Sequence, residues 1–150
     1  MVFNFTEKFQ FSPRLYVQGD PLEVIERTRL LGTIITSDLR WDQNTSHIII
    51  KANSRMELLR KASSFGASID DLKTIYILFV RSQLEQSTVV CGSSLTDKNK
   101  ADLERVQRSA LKKILGPKYR ENKEALTAMD LETQKERGNI CLGFAKECFH

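Results

Sequence analysis

Apolar positions along this chain change period once. Up to about residue 40 they fall in short alternating runs broken by turn residues, and from Trp41 onward they recur at three- and four-residue steps. The longest such run, Ser68 to Gly92, predicts a helix with Leu72, Ile75, Tyr76, Phe79, Val80 and Leu84 on one wide face, and Asp71, Lys73, Thr74 and Arg81 largely elsewhere. Ser68 suits the N-cap, and Asp70 and Asp71 suit the positive end of the helix dipole. This helix is expected to centre the core. A second helix is predicted from Asp42 to Ser64, with Ile48, Ile49, Ala52, Met56 and Leu59 on one side and Gly66 just past its end. Thr96 caps a third, whose apolar face is Leu103, Val106, Ala110 and Ile114, and Gly116-Pro117 ends it. Beyond Asn122 the pattern predicts a short helix around Glu124 to Met129 and a longer one from Glu132. The longer one carries Gly138 and Gly143, each costing about 1 kcal/mol relative to alanine.

The opening region reads as strands. Arg14 to Gln18 alternates and stops at the turn signal Gly19-Asp20-Pro21; Leu22 to Ile25 and Arg29 to Ile35 follow as two more short strands, with Gly32 inside the second. A glycine within a strand often marks a bulge or a close backbone approach. The expected fold class is therefore mainly α: four to five antiparallel helices preceded by a small antiparallel β edge. The expected division is residues 1–40 and 41–150.

Charge adds a direction to this picture. The 150-residue chain carries a net +4, yet Ser93 to Arg120 holds eight basic residues against three acidic ones, so the excess is regional and favours a polyanionic partner. At about 100° per residue, Lys98, Arg105, Arg108 and Lys112 fall within about 80° of one another, opposite the apolar face of the third helix. No run is long enough to span a membrane, so no membrane partner is expected. The odd number of cysteines, Cys91, Cys141 and Cys148, together with a start that lacks a basic flank and apolar run, suggests a reducing, intracellular setting.

Candidate metal and catalytic chemistry is thin. Asp70-Asp71 looks loosely like the paired aspartates with which polymerases hold two metal ions, but such carboxylates must converge from separate strands, and this pair opens a helix. Cys141, Cys148 and His150 lack the close pairwise spacing of a zinc site and read as packing residues. His47 has no nucleophile suggested beside it. Arg81 and Glu85, four apart, can pair on one helix for about 0.3 kcal/mol if exposed. No catalytic or metal residue is assigned.

The order of landmarks is more telling than any one of them. Arg29-Leu30-Leu31-Gly32 precedes Leu39-Arg40-Trp41, then His47-Ile48, Lys51-Ala52, Asp71-Leu72 with Tyr76, Arg81-Ser82-Gln83-Leu84-Glu85 and Ser93-Ser94-Leu95-Thr96. Leu103 to Leu111 (LERVQRSAL), Ala125-Leu126, Leu131-Glu132-Thr133 and Glu136-Arg137 complete the series. This series resembles the C-terminal part of the reverse transcriptases of non-LTR (LINE-type) retrotransposons, over nearly the whole chain. The resemblance implies that residues 1–40 are the end of the polymerase palm and that the helices from Trp41 are its thumb. It also implies that Arg29, Leu30, Leu31, Gly32 and Thr33 form a hairpin supporting the primer 3′ end. The thumb helices would contact an RNA–DNA or DNA duplex weakly through its backbone, and would make the Arg81–Glu85 pair a fixed structural one. The palm aspartates that hold magnesium would lie before Met1, so the chain is expected to be no enzyme on its own and to hold no cofactor. Three positions depart from the family: it usually has tryptophan at Cys91, arginine at Gly138 and a basic residue near Gly143. The alternative reading is a helical protein–protein interaction module without nucleic-acid binding, with self-association through apolar surface left uncovered by the missing palm.

Overall fold

The computed structural model describes residues 16–23, 25–86, 88–134, 136–137 and 139. It is mainly α, with two antiparallel β-hairpins ahead of the helices. The chain divides into two compact units, Met1–Asn44 and Thr45–His150.

In the first unit, β1 (Tyr16–Val17) pairs with β2 (Asp20–Pro21), and β3 (Arg27–Leu30) pairs with β4 (Thr33–Thr36). Both turns are two residues long with two positive φ angles: Gln18 and Gly19 at 54° and 95°, Leu31 and Gly32 at 48° and 85°. That is the turn whose twist matches paired strands. Two expectations are corrected by it. Arg29 to Ile35 is a hairpin instead of one strand, because the left-handed pair Leu31-Gly32 reverses the chain. The earlier turn sits one residue before Gly19-Asp20-Pro21, leaving Asp20-Pro21 as strand. Leu22, Glu23 and Ile25 form no strand, and Arg14 and Leu15 lie outside the described residues. The Ser37 amide donates to the Glu26 carbonyl at 2.8 Å, extending the β3–β4 ladder. Buried Asn44 accepts from the outward-pointing Ile34 amide at 3.0 Å, which ties β4 to the first turn of α1 (Asp42–Ser64).

The second unit is a helix bundle around one apolar cluster. It receives Ile48, Ala52, Met56 and Leu59 from α1, Leu72 from α2 (Ile69–Ile75), and Leu103, Val106, Ala110, Leu111 and Ile114 from α5 (Asp97–Leu115). Helix α1 has the bounds its periodicity predicts. It ends in a Schellman motif: Gly66 at φ 80° lets its amide reach the Ser63 carbonyl, and the Ala67 amide reaches that of Ala62, both at 3.1 Å. Ser68 and Asp71 form a capping box at the start of α2, so the paired aspartates are a cap, as their position predicts.

The run from Ser68 to Gly92 is more broken than its apolar pattern predicts. Helix α2 passes into a π-helical segment, Tyr76–Arg81, then α3 (Ser82–Glu85), a turn at Gln86, α4 (Thr88–Cys91) and a 3₁₀ turn, Gly92–Ser94. The buried residues Leu72, Tyr76, Val80 and Leu84 are spaced by four. In an ideal α-helix three such steps would drift about 120° around the axis, and the wider π turn takes up part of that drift. Phe79 consequently faces out, 45% exposed, whereas Arg81 turns in. The Arg55 guanidinium donates to the Phe79 carbonyl at 2.9 Å and the Ser82 hydroxyl to the Leu78 carbonyl at 2.6 Å, serving the backbone of this segment. Cys91 is buried.

Helix α6 (Asn122–Ala128) agrees with the short helix expected near Glu124. A second Schellman motif ends it, with amide bonds from Asp130 to Thr127 and from Leu131 to Leu126, and Asp130 in the left-handed region at φ 50°. Asp130→Gly should therefore raise the unfolding free energy by about 0.5–1 kcal/mol, read from urea melts. The next helix starts two residues later than expected, at Gln134. Thr133 closes a capping box with Glu136, and described residues Gln134, Glu136, Arg137 and Asn139 are helical, while Gly138 and Gly143 lie outside the described residues.

Candidate nucleic-acid interface

Helix α5 has two chemically distinct sides because its sequence satisfies two patterns at once. Thr96 caps it, accepting from the Asn99 amide at 3.2 Å, and Gly116 at φ 51° followed by Pro117 ends it. Between these caps the apolar face is buried and Lys98, Arg105, Arg108 and Lys112 are all exposed. From Lys98 to Lys112 the rise is about 21 Å. Lys98 and Arg108 make no ion pair among the described residues. Arg105 pairs with Asp102 at 3.0 Å, and the Lys112 ammonium lies 5.5 Å from the Tyr119 ring centroid. Lys113, Lys118 and Arg120 add exposed cations at the same end of the helix. Asp102 is what the helical-wheel reading missed: its spacing of three from Arg105 was visible, but its effect is to divert one of the four cations.

The five hairpin residues Arg29, Leu30, Leu31, Gly32 and Thr33 form the apex of β3–β4. Leu31 is 92% exposed there, a large apolar side chain in a backbone conformation that costs leucine about 1–2 kcal/mol. Arg29 is exposed and Thr33 buried. Beyond β4, Asp38 accepts from the Thr36 hydroxyl at 2.6 Å and the Arg40 amide at 3.0 Å, and these bonds hold its carboxyl below the usual range.

A polar cluster anchors the α6 end to the bundle. Arg81, only 7% exposed, donates from Nε to Glu85 at 2.9 Å and from Nη2 to Glu132 at 2.8 Å. Gln107 of α5 donates to the Glu132 carbonyl at 2.9 Å, and Arg137 sits 3.3 Å from the same Glu85 oxygen without hydrogen-bond alignment. Burial opposes the guanidinium charge, but Glu132 and Glu85 outweigh it and raise the Arg81 pKa. Burial also pushes the Tyr76 phenol well above its ordinary value. Sequence reasoning found the Arg81–Glu85 pair and missed Glu132, which no local pattern connects to a residue 51 positions away.

The Arg81 hydrogen bond lowers the Glu132 pKa, and the Thr133 amide and hydroxyl lower that of Glu136. For groups lowered on folding, the stabilisation is complete above the ordinary carboxylate value of 4.5 and is lost as pH falls through the lowered values. Urea midpoints should therefore drop on acidification below about pH 4.5, and Glu132→Gln should flatten that decline.

Among the described residues no group of three His, Cys, Asp or Glu side chains could hold a metal ion, and no helix is long and apolar enough to cross a membrane. Cys141, Cys148 and His150 lie outside the described residues. No family model, curated protein or solved structure matches this chain.

Proposed function

We propose that the helical unit grips the phosphate backbone of an RNA–DNA or DNA duplex through the exposed face of α5, as part of the thumb of a non-LTR reverse transcriptase. One observation carries the reading: Lys98, Arg105, Arg108 and Lys112 stand exposed on one side of a capped helix whose other side is locked into the core. Cations at that spacing match phosphates without reading bases, so binding is sequence-tolerant and electrostatic. In the same reading the β3–β4 apex, Arg29 to Thr33, supports the primer end, with exposed Leu31 as its contact. The magnesium chemistry of such a polymerase does not fit this chain's candidate carboxylates, since Asp71 is engaged in the cap of α2. In this reading the chain contributes grip, and the catalytic aspartates of the polymerase would be supplied outside it. Gel-shift titration of a short duplex at two salt concentrations tests this: binding should weaken steeply with salt, and absence of binding at low salt rejects it.

A further inference from the structure

Helix α1 fills the core with one side and still carries a second apolar stripe on the other. Ile50, Leu58 and Phe65 are 67%, 48% and 88% exposed, although nothing on the buried face requires them. With Ser54 and Lys61 they follow steps of four, four, three and four residues, the spacing by which one helix seats another. Phe65 keeps that register because its amide still bonds the Lys61 carbonyl at 3.1 Å. The stripe spans about 22 Å, roughly four turns.

Charge narrows what can lie there. Lys61 lies within the stripe between Leu58 and Phe65, half-buried Lys51 borders it, and neither makes an ion pair among the described residues. No carboxylate falls within the stripe; Glu57 at its border is engaged by Arg60 at 2.6 Å. We infer that this face of α1 docks an amphipathic helix of a partner protein that carries acidic residues beside its apolar anchors. The spacing selects a helix as occupant, and the uncompensated lysines select acidic flanks. This surface is separate from the cations of α5, and its occupant is a protein whether or not α5 binds nucleic acid.

The test uses the full chain and three labelled model peptides: a helical peptide with leucines at three- and four-residue spacing flanked by glutamates, the same peptide with lysines for glutamates, and a scrambled glutamate version. Fluorescence anisotropy should show the glutamate helix binding at least about tenfold tighter than either control. Leu58→Asp should remove that preference by a similar factor, and Lys51→Glu with Lys61→Glu should reverse it toward the lysine peptide. Leu58 and Lys61 are exposed and Lys51 is half-buried, and an unchanged circular dichroism melt shows that each variant is folded. Equal binding of the three peptides, or binding indifferent to Leu58→Asp, overturns the proposal. So does a dimer in sedimentation that Leu58→Asp converts to monomer, or Leu58-dependent binding to anionic vesicles, since either assigns the face to another occupant.

Discussion

Arg81→Met should lower the unfolding free energy of the helical unit by about 2–3 kcal/mol, seen as a matching fall in the urea midpoint by far-ultraviolet circular dichroism. Methionine keeps much of the aliphatic stem packed and removes only the guanidinium, so the loss reports the charge and its two hydrogen bonds. Removing one member of a fully buried ion pair costs about 3–5 kcal/mol, because the partner is left charged without a counterion. Here the carboxylates soften the loss. The Glu132 side chain is 46% exposed and can turn to water, and Glu85 keeps Arg137 within 3.3 Å.

Arg81→Lys should recover less than half of that loss. The observed contacts use Nε and Nη2 at once, two donors fixed in one plane, and a single ammonium cannot reproduce that fork. Combining Arg81→Met with Glu132→Gln should cost about 1 kcal/mol less than the sum of the separate changes, since the second substitution removes the charge the first leaves unpaired. An Arg81→Met variant within about 0.5 kcal/mol of wild type would sink the assignment of Arg81 as the anchor of the α6 end.

That anchor also shows where sequence reading runs out. Helices α1 and α5 were legible to within a residue because periodicity and a following glycine agreed at each, with Thr96 as a cap for α5. The capping box at Ser68 was legible for the same local reason. The π segment was not: an average helical angle placed Arg81 away from the core, although the strict four-residue spacing of Leu72, Tyr76, Val80 and Leu84 was the signal for a wider turn. The hairpin at Leu31 was missed from the residue pattern because leucine is a poor left-handed residue and only Gly32 announced the reversal, whereas the family resemblance implied it. Pairings such as Arg81 with Glu132 are products of tertiary packing and have no local sequence signature. The basic face of α5 was readable as a pattern, but its weakening by Asp102 is a matter of rotamer and distance.

Replacing Arg105 and Arg108 together by alanine should reduce duplex affinity by about one to two orders of magnitude at low salt, whatever the duplex sequence. The size follows from counterion release. If the four cations of α5 each neutralise one phosphate, the logarithm of affinity should fall with the logarithm of salt with a slope of about −3.6, and removing two should halve it to about −1.8. The two arginines are not equivalent. Arg105 is shared with Asp102 at 3.0 Å, whereas Arg108 makes no ion pair among the described residues, so Arg108→Ala alone should weaken binding more than Arg105→Ala. Asp102→Asn should act in the opposite sense, releasing Arg105 and strengthening binding, at little cost in stability because Arg105 is largely exposed and a helix pair of this spacing contributes less than about 1 kcal/mol. A structural role for the arginines would predict the reverse pattern, with Asp102→Asn harmful and the salt slope unchanged. Gel shifts of the single and double variants across a salt series separate these outcomes, with melting curves confirming that each variant is folded.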